Sequence, residues 1–419
     1  MDAFWIIATG CLVAISCSLC GCFLVLRRMA LLGDAISHAV LPGIVLAFLV
    51  SGSRSSVPML IGAAAFGLLT AAGVQWLHRG GRVQSDAAIG VTFTALFAFG
   101  VVLVSLFAGH VDLDQECVLY GEIAYVPLDL LRVGDYLIGP RAFWQMLAVL
   151  ILCGGVIGAA WKELKLTSFD PDMAAAVGIN VALVHYILMA LVSAATVGSF
   201  ELVGAILVVA MLVVPAATAY LLTDELGKMM GVAAIVGVVS TVLGYGLALV
   251  LDASPAGAIS VAAGFLFSLA LLLSPSHGIV PRAISQRRLS QRIGREDALQ
   301  MLWRRAERGE TLDALGLAAL TRREIGAARA TLNSLARAGL ATETGKNWTL
   351  SETGRQTAQD LMQRHRVYES YLGELGYATD HVHDAADRTD HFLSPDAVRA
   401  LSEAAGNPAR DPQGKEIPQ

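Results

Sequence analysis

Long apolar stretches recur along this chain up to Ser274-Pro275, and they leave little room there for any fold but a membrane bundle. A helix needs about 20 apolar residues to cross the ~30 Å hydrocarbon core of a bilayer. Stretches of that kind lie at 3–26, 35–51, 57–77, 87–108, 142–162, 181–199, 201–223, 228–251 and 255–273. Only Ser199-Phe200-Glu201 separates the sixth from the seventh, and the second opens on Asp34 and His38, so eight or nine spans are open. Beyond Pro275 the character reverses. Residues 276–419 hold 20 of the 30 Lys and Arg, so the overall 16% charge averages two physical regimes. The sequence predicts an all-α polytopic membrane domain over 1–275, a basic linker over 276–295 and a soluble part after it.

Orientation follows from loop charge, because cytoplasmic loops carry the excess of Lys and Arg. With nine spans and the soluble part inside, the inner loops hold Arg27, Arg28, Arg79, Arg82, Lys162, Lys165 and Lys228. The outer loops hold Arg54, Arg132 and Arg141, and the long outer loop 109–141 is acidic, with Asp112, Asp114, Glu116, Glu122, Asp129 and Asp135. The N-terminus is then outside. It lacks the basic start and small-residue cleavage site of a signal peptide, and its stretch is long enough to be a retained span. Cys17, Cys20 and Cys22 admit a zinc reading or plain small-residue helix packing, and the cysteines suggest no disulfide framework.

Ionisable residues inside a membrane are costly and therefore candidates for function. Asp34 and His38 are four apart, so they share a helix face, and a carboxylate oxygen beside an imidazole nitrogen suits a divalent cation. Interfacial polarity at a helix end is the alternative. Glu201, at the junction of two spans, could guard an entrance, while Pro215 further along reads as a packing kink. In the inner loop, Asp170-Pro171-Asp172 opens a short helix that Gly178 closes, giving either a docking knob or a connector.

Arg27-Arg28-Met29 through Gly43, the Asp170 to Ile179 loop, and Gly204 to Ala219 together resemble the metal-ion permeases of ABC importers, of the zinc, manganese and iron type. The likeness runs from the N-terminus to about residue 275. It implies an ABC-3-type permease fold, a pore of two identical or paralogous copies, an extracytoplasmic metal-binding protein and a separate cytoplasmic ATPase. By the same resemblance Asp170, Asp172 and Gly178 belong to the helix that couples to the ATPase. Asp34 and His38 match the pair that meets the ion in transit, and Glu201 joins the pathway. The chain has no Gly-x4-Gly-Lys-Ser/Thr phosphate loop.

The soluble part opens on Arg282, Arg287, Arg288, Arg292 and Arg295, a run that suits anionic lipid or, alternatively, DNA. A helix over 296–308 leads into a helix-turn-helix formed by 312–320 and 322–338, whose second helix would carry Arg322, Arg323, Arg329 and Arg337. Gly345-Lys346-Asn347 between two short strands reads as a wing. Such a module binds DNA through its second helix, or serves as a scaffold. Further on, His365 and Glu369 are four apart, and His383, Asp387, Asp390 and His391 follow a helical spacing on one face. Two imidazoles and two carboxylates there suit Mn²⁺, Fe²⁺ or Zn²⁺; a solvated polar face is the alternative.

Leu350-Ser351-Glu352-Thr353-Gly354-Arg355, Arg364-His365-Arg366, Val382-His383-Asp384, Asp390-His391 and 411–418 resemble the diphtheria-toxin-repressor family of metal-dependent regulators. The resemblance covers about 296–418 and divides it into a winged helix (296–354) and a helical metal-sensing and dimerisation domain (355–419). It implies His365, Asp387, Asp390 and His391 as ligands, His383 and Glu369 as a second site, and Asp297 or Glu296, with Gln300 or Leu299, from the first helix. Asp387 and Asp390 stand where the family usually carries longer or thiol ligands, and Ala385 replaces a usual Glu. The expected function is the membrane subunit of an inner-membrane ABC importer for Mn, Fe or Zn, with a cytoplasmic metal-responsive domain and no organic cofactor. The metal is both substrate and candidate effector, and DNA is a further candidate partner. A membrane-tethered transcriptional regulator is the alternative function.

Overall fold

The computed structural model describes residues 2–51, 56–81, 83–107, 123–133 and 136–418. Arg54, Arg82, Asp112, Asp114, Glu116, Cys117, Glu122 and Asp135 lie outside them, as do the side chains of Arg79, Arg132 and Glu201. The chain divides into two compact units, Met1–Arg282 and Ala283–Gln419.

In the first unit, α1 (Asp2–Leu26), α2 (Leu32–Ser51), α3 (Ser56–Gly81) and α4 (Ser85–Phe107) come first. The expected outer loop contains a 3-10 turn, Ile123–Leu128, and an antiparallel pair, β1 (Leu130–Val133) with β2 (Tyr136–Pro140). Then follow α5 (Arg141–Ala159), α6 (Trp161–Phe169), α7 (Pro171–Ala176), α8 (Val181–Leu222), α9 (Leu226–Leu251) and α10 (Pro255–Leu273). Among the described residues nine helical segments are long and apolar enough to cross a membrane. Helical hydrogen bonding satisfies each segment's backbone internally, which a lipid environment demands.

The sixth and seventh of these segments form the single element α8. At 42 residues it would be about 63 Å long if straight, twice the hydrocarbon thickness. Gly204, at φ 76° and ψ 165°, breaks it. That backbone conformation is open to glycine and strained for other residues. The junction expected at 199–201 therefore carries no loop, and the bend comes at Gly204.

Small residues let these helices touch. Buried Cys17, Cys20 and Phe23 of α1 share one core with Leu207, Met211 and Leu212 of α8. Cys17 Sγ lies 3.7 Å from Ser199 Oγ, and among the described residues no cysteine joins a metal-capable group. Among the described residues Cys17, Cys20, Cys22 and Cys153 pack helices. Gly21 faces the Leu212 carbonyl, and Gly43 of α2 and Gly62 of α3 face each other's backbone.

The second unit begins within α11 (Ile279–Ala306), so the basic stretch expected as a linker is helical from Ile279. Then come β3 (Leu312–Asp313), α12 (Ala314–Thr321), α13 (Ile325–Arg337), β4 (Ala341–Thr344) and β5 (Asn347–Leu350), the strands ordered β3-β5-β4. The expected wing is the β4–β5 hairpin, with Gly345 at φ 69°. The helix expected over 322–338 starts at Ile325. Arg322, at φ 52°, ends α12 in the left-handed conformation, and Arg323 N–H bonds back to the Ala318 carbonyl. Arg322 and Arg323 are thus turn residues, while Arg329 and Arg337 lie exposed on α13. The remainder is α14 (Glu352–Glu374), α15 (Thr379–Thr389), a 3-10 turn Asp390–Phe392, and α16 (Pro395–Ala404). Leu299 and Leu302 of α11, Leu332 and Leu335 of α13, Trp348 and Leu361 form this unit's core.

A Cβ at Gly21 would press on the Leu212 backbone, which cannot rotate away as a side chain can. Overpacking of this kind costs about 1–3 kcal/mol. We expect Gly21→Ala to lower the melting temperature of the detergent-solubilised protein, and Gly154→Ala, which meets nothing within 4 Å, to leave it unchanged.

Candidate metal sites

In the membrane unit, α2 brings Asp34 Oδ1 within 3.5 Å of His38 Nε2, with both side chains partly exposed. The imidazole stacks on Phe93 at 5.9 Å and meets Phe97 edge-on at 5.6 Å. The rings hold the imidazole, whose nitrogen faces the Asp34 carboxylate, an arrangement able to share a divalent cation. Glu201 belongs to the backbone of α8, three residues before the bend at Gly204.

The expected docking knob is a closed piece of structure. Asp170 caps α7 by accepting from Met173 N–H at 2.9 Å, and Pro171 occupies the first turn, where a missing N–H costs nothing. At the other end Gly178, at φ 85°, and Ile179 donate to the Ala175 and Ala174 carbonyls, each at 3.0 Å. This double bond to the last turn ends the helix cleanly. Phe169, Met173 and Val177 are left exposed around it, and Asp172 is exposed beside them. Arg27, which opens the permease-like motif, joins α6, the helix before the knob, to α8. Its guanidinium reaches Thr167 Oγ1 at 2.9 Å, Ser168 Oγ at 3.1 Å and His185 Nδ1 at 3.4 Å.

The soluble unit gathers all seven expected sensor residues, from α11, α14, α15 and the following 3-10 turn. The single face expected for 383–391 is split, because α15 stops at Thr389 and Asp390 and His391 turn in a tighter helix. Asp390 is fully buried and central. Its Oδ2 accepts from Gln300 Nε2 at 2.8 Å and lies 2.9 Å from His365 Nδ1. Its Oδ1 has no hydrogen-bond partner and lies 3.5 Å from His391 Nε2, which is 3.0 Å from Asp297 Oδ1. His391 Nδ1 faces Glu296 Oε2 at 2.8 Å. Of the two first-helix candidates, Asp297 therefore faces the open nitrogen while Glu296 orients the ring, as a carboxylate commonly does behind a ligating histidine.

On the other side of Asp390, His365 Nε2 lies 3.0 Å from Glu369 Oε1 and 3.2 Å from His383 Nδ1, which is 2.5 Å from Glu369 Oε1. His365, Glu369 and His383 form one metal-capable group, and His365, Asp387 and Asp390 another. The orphaned Asp390 Oδ1, the Asp297 carboxylate and His391 Nε2 offer donors of the kind a divalent ion takes, where an ion would neutralise charge, but the three are not one of the two compact groups. Sequence reading missed Arg304, whose guanidinium contacts His365, His383 and Asp387. The signal was available: positions 297, 300 and 304 fall on one helix face. Arg323, expected to contact DNA, lies 3.9 Å from Asp297 Oδ2.

These groups hold one another's charge. Burial alone would lower the His391 imidazole, but the Asp297, Asp390 and Glu296 carboxylates push it up to about 9. His365 is raised against burial by Asp390 and Glu369. Burial likewise opposes charge on Glu369 and Asp390. Yet His365 and His383 hold the first far below the carboxylate range, and His365 and Gln300 hold the second low.

Residues 3–274 match the ABC 3 transport family, and residues 351–419 match the iron dependent repressor, metal binding and dimerisation domain. Over 280 residues, 67% of this chain and 95% of the relative, the sequence is 54% identical to the manganese transport system membrane protein MntD of Bacillus subtilis. Over 286 residues, 68% and 77% of the two chains, it is 43% identical to the zinc transport system membrane protein TroD of Treponema pallidum. Among solved structures, PsaBC from Streptococcus pneumoniae in complex with Fab superposes with a TM-score of 0.56 at 32% identity, covering 68% of this chain and 95% of that one.

A histidine whose folded pKa lies above its unfolded value, about 6.5, adds stability that is complete below that value. The contribution is lost as pH rises through the folded one. For His391 the window runs from about 6.5 to about 9. We expect the melting temperature of a chelator-treated 283–419 fragment to fall across this range, and His391→Gln to flatten the fall. An equally steep fall in the variant contradicts the assignment.

Proposed function

Because the chain belongs to the ABC 3 transport family, we propose that it is the membrane subunit of an ATP-driven importer for a divalent transition-metal ion. The observation that carries this reading is the Asp34–His38 pair, an oxygen and a nitrogen donor held on one face of a membrane-spanning helix. The ion is substrate at that pair. The protein supplies a donor set that replaces part of the ion's hydration, and the Asp34–His38 pair is weak enough to let the ion pass. Manganese is the favoured cargo, since the relative sharing 54% identity is a manganese transport protein and the donors are oxygen and nitrogen without thiolate. Zinc and iron share the same ligand chemistry.

The capped helix α7 offers exposed Met173, Val177 and Phe169 to a cytoplasmic ATPase. Arg27, just after α1, ties the end of α6 to the start of α8, so force passed from α7 into α6 reaches two spans through a charged fork. A second permease copy, identical or paralogous, completes the pathway, and an extracytoplasmic protein delivers the ion. Lys and Arg concentrate on the α7 side, which supports a cytoplasmic location for α7 and for the soluble unit. That unit measures the imported metal through Asp297, Asp390 and His391 and feeds the result back on transport. The basic first turns of α11 sit on anionic lipid.

Uptake of radioactive Mn²⁺ by cells expressing the complete importer tests the transport reading. Asp34→Ala combined with His38→Ala is expected to lower the initial rate at least tenfold with the protein still in the membrane. Wild-type uptake by that variant sinks the pathway assignment.

A further inference from the structure

We propose that the Arg304 guanidinium is a built-in cation that fills the His365–His383–Asp387 side of the soluble unit's metal cluster, so that this unit takes up one divalent ion rather than two. The inference rests on the reading of that unit as a metal-binding domain.

The guanidinium stands against the atoms an ion would use. Arg304 Nη1 lies 3.2 Å from His383 Nε2, and Nη2 lies 3.2 Å from both His365 Nε2 and Asp387 Oδ1. A guanidinium keeps its charge at every physiological pH and offers only donors. It cannot become a ligand, and it cannot share these three atoms with a second cation. His383 lies between Glu369 and Arg304, Nδ1 2.5 Å from Glu369 Oε1 and Nε2 3.2 Å from Arg304 Nη1. His365 Nε2 lies within hydrogen-bond distance of both Glu369 Oε1, to which it would donate, and Arg304 Nη2, from which it would accept. One nitrogen cannot do both. The ring therefore faces Glu369 on one side and Arg304 on the other, and the guanidinium reaches on to Asp387 Oδ1.

The surroundings keep Arg304 in place. Leu299 and Leu302, buried in the unit's core, fix the register of α11. The acidic neighbour best placed to draw the guanidinium out is Glu307, and it is engaged by Arg366 at 2.9 and 3.0 Å and by Trp303 Nε1 at 2.8 Å. Gln300, one turn before Arg304 on the same face, closes the gap toward Asp390. Access is not what excludes an ion, since Asp387 is 44% exposed. With this side already neutralised, it stays assembled when metal is absent. The response to metal then falls on the Asp297–Asp390–His391 side, where a buried carboxylate oxygen lacks a partner.

The test counts Mn²⁺ bound at equilibrium dialysis by the purified full chain, minus the count for a chain ending at Arg282, which subtracts the transport pathway. The wild-type difference is expected to be one ion per chain. Arg304→Ala and Arg304→Gln are each expected to raise it to two, and adding His383→Ala to either returns it to one. A wild-type difference of two overturns the proposal. So does a difference of one in both variants when their circular dichroism matches the wild type. A difference of zero in every chain fails the metal-binding reading itself, and this inference with it.

Discussion

Charge placed where water is scarce has to be balanced within a few ångströms, and most of what is specific to this chain follows from that constraint. An unpaired carboxylate in a low-dielectric interior is expensive, and a cation offered to it repays the cost. In the membrane unit the balance is partial. Asp34 has one histidine beside it and some access to water. In the soluble unit the balance is dense. Five carboxylates, three imidazoles and one guanidinium lock together, and among the described residues of the cluster one buried carboxylate oxygen, Asp390 Oδ1, is left without a partner. A loose pair suits passage, and a tight cluster with one open position suits measurement.

The scaffold around each group follows from elementary helix physics. Glycines at 21, 43 and 62 allow backbones to touch, so small residues, rather than an apolar core as in a soluble protein, set the spacing of the spans. Gly204 breaks a helix too long for the bilayer. Asp170 and Gly178, expected to serve coupling, are first the two caps that let a six-residue helix exist at all. Their value to a partner is indirect: they hold Met173 and Val177 outward.

Much of this was legible in residue order, because spans announce themselves by length and hydropathy, and ligand pairs by spacings of four on a helix. The Asp34–His38 and His365–Glu369 pairs were read that way. What escaped was whatever depends on elements distant in sequence or on the end of a helix. Arg304 lies more than sixty residues from the histidines it touches. Arg322 and Arg323 were read as recognition-helix residues, since a left-handed stop at a non-glycine residue leaves no mark in the pattern. Asp390 and His391 kept the helical spacing but entered a tighter turn, which gives Asp390 its two-sided role.

On the proposed function, joining the two units in one chain couples import to a gauge of the same ion, and its direct consequence is a rate that depends on metal already inside. Proteoliposomes containing the complete importer, loaded with graded internal Mn²⁺, measure it. The full chain should slow its initial uptake as internal Mn²⁺ rises, while a chain ending at Arg282 should transport at a rate independent of it. Equal dependence, or equal indifference, in the two chains would contradict the account.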